Sequence, residues 1–408
     1  FFKQKTAYEI YQCDWSSDVC SSDLALDALP GPSGTVDLYT GGMSRLSRRG
    51  FLASGCCAAA FGVVSRAVPA RAQATPKGRG PIDVHAHYYP ERFVKAINEQ
   101  GGPPGVYFDL SNPDAPVVVM AGPRVPIDAT YWDLEKRLAR MDAMGVTTHA
   151  LSLTTPFVYW APRERGLELA RIVNDSMVEA HTAYPGRFVG CATLPLQAPD
   201  LAVQELERVG NSPAIRGAYM PTSFAGKELS DPSLFPIYAK CEAMNLPILL
   251  HPDQAAASMG ANRLAPFYLA NIFGNPFDTS IAVAHLVFGG VMDRFPRLNV
   301  VLPHAGGAVP FLWGRMQHGQ AVRAEFKDKT QRPFGEYLPR FYYDTITHDP
   351  KLLRFLIDEV GIDHVMLGSD YCFDMGYERP REVIDALRLR PAEKDKIYAS
   401  NAARLLRM

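Results

Sequence analysis

Four histidines and one aspartate in this sequence share a setting. His85 and His87 in PIDVHAHYYP, His251 in PILLHP, His304 in NVVLPHAG and Asp370 in HVMLGSDY each stand at the end of a short apolar, β-branched run. If those runs are strands, all five side chains sit at C-terminal strand ends. Three imidazoles and one carboxylate suit Zn²⁺, or another borderline divalent ion such as Mn²⁺, with room for a water. Alternate residues of a strand point the same way, so His85 and His87 can both face one ion. An HxH pair alone is a weak signal, and the joint placement of five residues at strand ends is the strong one. The chemistry open to such a site is metal-assisted hydrolysis or bond cleavage beside a proton-carrying histidine.

Positioning those residues requires a particular architecture. Apolar runs begin at Pro81, Val146, Phe188, Ala214, Pro247, Asn299, Phe341 and His364, and amphipathic segments such as those from Tyr131, Leu167 and Thr279 fall between them. Several of these segments stop at Gly or Pro, as Gly145, Pro185 and Pro296 show. Alternating strands and helices imply parallel strands joined by right-handed crossovers. Eight such units predict a (β/α)8 TIM barrel over residues 75–408, whose active site lies at the C-terminal strand ends. Such a barrel brings strands one and eight together and converges the five residues on its mouth. The stretch Gly101–Pro126 breaks the period after strand one and reads as a small β insertion over that mouth. The tail from Glu378 reads as terminal helices. A doubly wound open sheet is the runner-up fold.

Composition narrows the function classes. The chain has 408 residues, 42 Lys+Arg against 43 Asp+Glu, a net charge of −1, and 47% hydrophobic residues. That is an ordinary globular composition. The near-neutral balance argues against nucleic acid as a partner. No apolar run approaches the roughly 18–20 residues that span a bilayer, so no stable membrane insertion is expected. Residues 1–42 read as non-native read-through. From Met43, the order Ser47-Arg48-Arg49-Gly50-Phe51-Leu52, a short apolar run and small residues around Ala70–Ala74 resembles a twin-arginine export signal over residues 43–74. The expected location is therefore periplasmic or exported. Beyond that segment Cys191, Cys241 and Cys372 remain, an odd set that builds no disulfide framework.

The segments PIDVHAHYYPERF, PILLHP, PHAGGAVPFLWGR and VMLGSDY resemble the amidohydrolase superfamily, and within it the branch of 2-amino-3-carboxymuconate 6-semialdehyde decarboxylase. The resemblance runs from about Pro81 to Ala403. It implies that His85, His87, His251 and Asp370 bind one zinc and that His304 acts as base on the metal's water. It implies that Asp370 protonates the carbon left after CO₂ departs. It also offers Arg124 as a grip for a substrate carboxylate and Arg315 as a second arginine reaching the neighbouring subunit's site, hence a homodimer. Two departures bear on the substrate: Asp253-Gln254 after His251-Pro252 in place of an aromatic-containing HPWD, and Cys372 in place of a common proline. The strand-four segment AIRGAYMPT ends without a lysine, which favours one metal over two.

The resulting reading is a metal-dependent decarboxylase of an unsaturated or aromatic carboxylic acid, with a small-molecule carboxylate as partner. A metal-dependent hydrolase of a lactone, ester or amide is the alternative. Among the remaining histidines, His348 is the one kept as a pocket residue. Tyr88, Tyr89, Trp313 and Phe373 could stack on a substrate, though packing is the blander role for each.

Overall fold

The computed structural model describes residues 80–408 except 113–114, 121–123, 254–260 and 327. The read-through and export-signal segments, residues 1–42 and 43–74, lie outside these residues, as does Gln254. Eight strands form one sheet in chain order: β1 Ile82–His87, β2 Thr148–Ser152, β3 Phe188–Thr193, β4 Ile215–Pro221, β5 Ile248–His251, β6 Val300–Leu302, β7 Phe341–Asp344 and β8 Val365–Met366. Each is parallel to the next. Strands β1, β2 and β3 are buried along their whole length. That is the environment in which parallel strands read as continuous apolar runs.

The barrel closes where β1 meets the chain leaving β8. Val84 N donates to Leu367 O (3.0 Å), Asp370 N to His85 O (2.9 Å) and His87 N to Tyr371 O (2.5 Å). Side chains reinforce this seam. The Asp83 carboxylate accepts from His85 N (2.9 Å), Ser369 N (3.1 Å) and the Ser369 hydroxyl. Burial pushes the Asp83 carboxyl up to about 6, against the hydrogen bonds from Ser369 and His85.

Helices alternate with the strands as the pattern requires. They are α1 Glu91–Gln100, α2 Leu134–Met144, α3 Arg163–Ala183, α4 Pro199–Val209, α5 Phe235–Ala243, α6 Asn275–Phe288, α7 Val309–Val322 and α8 Pro350–Val360. The Asp133 side chain caps α2 by accepting from Glu135 N and Lys136 N, and Gly145 ends it at φ 70°. Asp349 caps α8 through Lys351 N, with Pro350 at the first helical position. Helix α1 intervenes before the insertion and was not singled out from sequence; Phe93, Val94 and Ile97 form its buried face. The insertion is an antiparallel sheet of Val106–Asp109, Val117–Met120 and Arg124–Pro126. Asn98 holds its first strand to α1 through both Phe108 backbone groups (2.8 and 2.9 Å). The tail folds as short helices and packs on β8, with Leu367 N bonded to Ile397 O and Asn401 Nδ2 to Val365 O. Among the described residues no helix is long and apolar enough to cross a membrane.

Arg137 of α2 is fully buried beside the seam. Its guanidinium donates to His87 O (2.5 Å), Thr130 O (3.2 Å) and His149 Nδ1 (3.3 Å), and lies 5.0 Å over the Tyr371 ring. Replacing it with an apolar chain takes the guanidinium donors from the His87 and Thr130 carbonyls and from His149, and leaves His87 O only the weak Cys372 thiol at 3.7 Å. Arg137→Met is therefore expected to lower the unfolding free energy by about 2–4 kcal/mol, read by urea denaturation. A change below about 0.5 kcal/mol would remove Arg137 from the account of the seam.

Candidate metal centre

His85 and His87 come from β1, His251 from the end of β5 and Asp370 from the loop leaving β8. One donor atom from each lies within 4.8 Å of the others, and all four residues are buried. A second set of hydrogen bonds turns the rings. His85 Nδ1 faces Asp344 Oδ2 at 2.8 Å, His87 Nδ1 faces Ser152 Oγ at 3.2 Å, and His251 Nδ1 faces Pro252 O at 2.8 Å and Thr154 Oγ1 at 3.1 Å. Each imidazole thus has Nδ1 engaged outward and Nε2 left for the centre, the tautomer pattern of metal-ligating histidine. His85 Nε2 is buried and finds no hydrogen-bond partner among the described residues, although Asp370 Oδ1 is 3.3 Å away. His87 Nε2 stands 2.9 Å from the same oxygen. An orphaned nitrogen and a shared carboxylate at a common point fit a divalent cation.

The electrostatics agree with that fit. Burial pulls the His87 imidazole down to about 4 and holds His251 well below its ordinary value, so both are neutral and able to ligate at pH 7. For His85, burial acts downward, but Asp370 and Asp344 outweigh it and hold the ring above its ordinary value. Burial acts upward on Asp370, and the His85 charge with hydrogen bonds from His304 and His87 outweighs it, keeping the carboxyl well below the usual range. A cation at the centre would take over the role His85 plays toward Asp370.

His304 follows β6 and stands beside this cluster, its Nε2 3.6 Å from Asp370 Oδ2. Its ring centroid is 5.3 Å from that of His85 and 5.6 Å from that of His251. His304 and Asp370 both adopt left-handed backbone, at φ 50° and 58°. That conformation costs a non-glycine residue about 1–3 kcal/mol and persists only where surroundings enforce it. The enforcement is visible: the Asp344 carboxylate accepts from His304 N (2.9 Å) and Ala305 N (2.7 Å), and His85 O accepts from Asp370 N. Gly307 completes the turn at φ 63°, where a Cβ would lie 2.1 Å from Pro276 O.

His304 and Asp370 open onto a cavity of about 650 Å³. Its walls come from residues 271–276, the turn after β6, the start of α7, the loop after β7, and α8. His348 lines it, as expected of the histidine beyond β7. Burial and the nearby His304 hold the His348 imidazole below its ordinary value. The structure brings neither arginine to this cavity. Arg124 sits on the insertion and pairs with Asp109 at 2.7 Å, half exposed. Arg315 is exposed on α7. The aromatic candidates pack elsewhere: Tyr89 stacks on Tyr131, Phe373 sits edge-on to His87, Trp313 donates to Glu359 (2.8 Å), and Tyr88 is buried. Sequence reasoning missed Asp344, although it ends the seventh apolar run in FYYDTIT as the ligands end theirs.

The family model described as amidohydrolase matches residues 82–408. The chain is 31% identical over 331 residues to 2-amino-3-carboxymuconate-6-semialdehyde decarboxylase of Dictyostelium discoideum, covering 80% of this chain and 91% of that protein. It is 29% identical over 289 residues to gamma-resorcylate decarboxylase of Rhizobium radiobacter, covering 67% and 87%. The crystal structure of 5-carboxyvanillate decarboxylase from Sphingomonas paucimobilis superposes with a TM-score of 0.69 at 27% identity, covering 81% of this chain and all of that one.

Asp344 accepts four bonds, from His85, His304 N, Ala305 N and Ile346 N. Burial alone would raise its carboxyl, yet the His85 bond and charge hold it below the ordinary value. An amide at this position puts an NH₂ where donors already point. Asp344→Asn is expected to weaken divalent-ion affinity about 10–100-fold, measured by competition with a chromogenic chelator. Wild-type affinity in that variant would show that the ring of His85 is held by something else.

Proposed function

This chain belongs to the amidohydrolase family, and from that premise we propose that it is a metal-dependent decarboxylase of an aromatic or unsaturated carboxylic acid. The observation that carries the proposal is the join between two features: three buried imidazoles and Asp370 converge on one point, and His304 and Asp370 face the cavity from that point. The named relatives above are decarboxylases, which favours this reaction over hydrolysis.

We read the ion as a single zinc, held by His85, His87, His251 and Asp370, because a mostly imidazole donor set suits it. Manganese in its place would leave the ligand assignment unchanged. Bound there, the ion would supply Lewis acidity to the substrate beside it. The residues do the rest. The bond between the carboxylate carbon and the substrate breaks, CO₂ leaves, and a proton takes its place on carbon. Asp370 lines the cavity with its Oδ2 3.6 Å from His304 Nε2, so a proton passed from His304 to Asp370 can be delivered to that carbon.

A homodimer belongs to the same proposal. Phe311 on α7 is 82% exposed, and Arg315 follows it by one helical turn. Apolar surface of this kind beside an arginine is the composition of an interface core. Light scattering at micromolar concentration decides it: a monomer ends the dimer reading. Export through the twin-arginine route rests on the Ser47–Leu52 motif, and cell fractionation is its check.

With metal-loaded protein, an aromatic acid carrying a ¹³C carboxyl should release labelled CO₂ and leave the carboxyl-free arene. His304→Asn should retain the metal and lose roughly 10²–10⁴ in kcat. Addition of water to a lactone or ester with no CO₂ from any acid would replace this proposal with the hydrolytic one. Loss of metal in parallel with activity would make His304 a ligand.

A further inference from the structure

The cavity is larger than the reaction requires. About 150 Å³ accommodates one benzene ring, whereas this cavity measures about 650 Å³. Its described lining is also mostly apolar. The ionisable lining residues are His304, Asp370 and His348, which sit on the loops after β6, β7 and β8. Most of the other described lining residues are apolar, Ile272, Leu352, Phe355, Leu356 and Met375 among them, with Asn271, Asn275 and Thr347 the neutral polar ones. Among the described lining residues there is no lysine or arginine. Leu352 is 55% exposed and Phe355 39% exposed, so a substrate lying against them would take apolar surface out of water.

We propose, resting on the decarboxylase reading, that the substrate is a monocarboxylic arene whose end remote from the departing carboxylate carries a bulky apolar group, an alkyl chain or second ring, seated against Ile272, Leu352, Phe355 and Met375. A second carboxylate at that end would lie against apolar side chains, with no lysine or arginine among the described lining residues to pair with it. The carboxylate that leaves as CO₂ is then the substrate's only one, and the product is an uncharged arene. This separates the chain from any role that needs two carboxylates gripped at once. It also agrees with the placement of Arg124 on Asp109 rather than in the cavity.

The test uses metal-loaded full-length protein and three hydroxylated benzoates: 2,6-dihydroxybenzoate, its 4-butyl derivative and its 4-carboxy derivative. Binding of the three unreactive analogues, in which nitro replaces the departing carboxylate, is measured alongside turnover. Each buried methylene is worth about 0.8 kcal/mol, roughly fourfold in affinity. The butyl compound should therefore exceed the unsubstituted one by at least about tenfold in kcat/KM and in affinity, and the 4-carboxy compound should be the poorest of the three. Leu352→Asp should erase most of the butyl preference in both readouts. Equal handling of butyl and unsubstituted compounds overturns the inference, as does preference for the 4-carboxy compound, which would instead place Arg315 of a second copy at the cavity. If no acid is decarboxylated while the nitro analogues keep the butyl preference, the reaction assignment fails and the ligand class stands. If acids turn over without that preference, the reaction stands and the ligand class fails.

Discussion

Everything at this site depends on the first strand finding the chain that leaves the eighth. Three backbone hydrogen bonds, from Val84, His87 and Asp370, make that seam. They set the HxH pair of β1 against Asp370, nearly three hundred residues later in the chain. The seam closes a parallel sheet whose edges would otherwise stand open. It also bears on the chemistry, because the residues it joins, His85, His87 and Asp370, belong to the proposed metal-ligand set. Asp83, Ser369 and Arg137 hold the same seam from beneath. Stability and ligand geometry are therefore one property here, and damage to the closure would act on both.

A second constraint is the cost of burying so many ionisable groups. Three imidazoles and the Asp344 and Asp370 carboxylates share a small buried volume. Each buried polar atom needs a partner or a charge to answer it. Asp344 resolves the problem for His85 and the β6 turn together, and backbone or hydroxyl groups do so for His87 and His251. What these bonds leave over is a set of inward nitrogens and one carboxylate, which is what a cation requires. The left-handed backbone at His304 and Asp370 is held by the same network.

The architecture was largely legible in the sequence because parallel strands buried on both faces must be continuous apolar runs. All eight runs became barrel strands, and the ligand set stood at their ends. The insertion and the terminal helices were legible from breaks in that period. Other parts were hidden for physical reasons. Asp344 looks like any polar residue closing a strand, and only the fold shows four donors pointed at it. Arg137 lies in an amphipathic segment where arginine normally faces water, and nothing local marks it as buried. Helix α1 is short and was overshadowed by the broken period that follows it. The cavity wall is drawn from several loops and helices far apart in sequence, so no motif could announce it. Arg124 was carried over by resemblance, and it pairs with Asp109 on the insertion, because spacing from a motif does not say where a long side chain ends.

We infer that barrel closure builds a single-ion centre from His85, His87, His251 and Asp370, with His304 outside the coordination set. Anomalous diffraction from crystals of the protein loaded with zinc tests it most directly. The account predicts one peak per chain, bonded to the Nε2 atoms of His85, His87 and His251 and to Asp370, with His304 not coordinating. A peak bonded to His304 in place of one of these, or two peaks per chain, would contradict it.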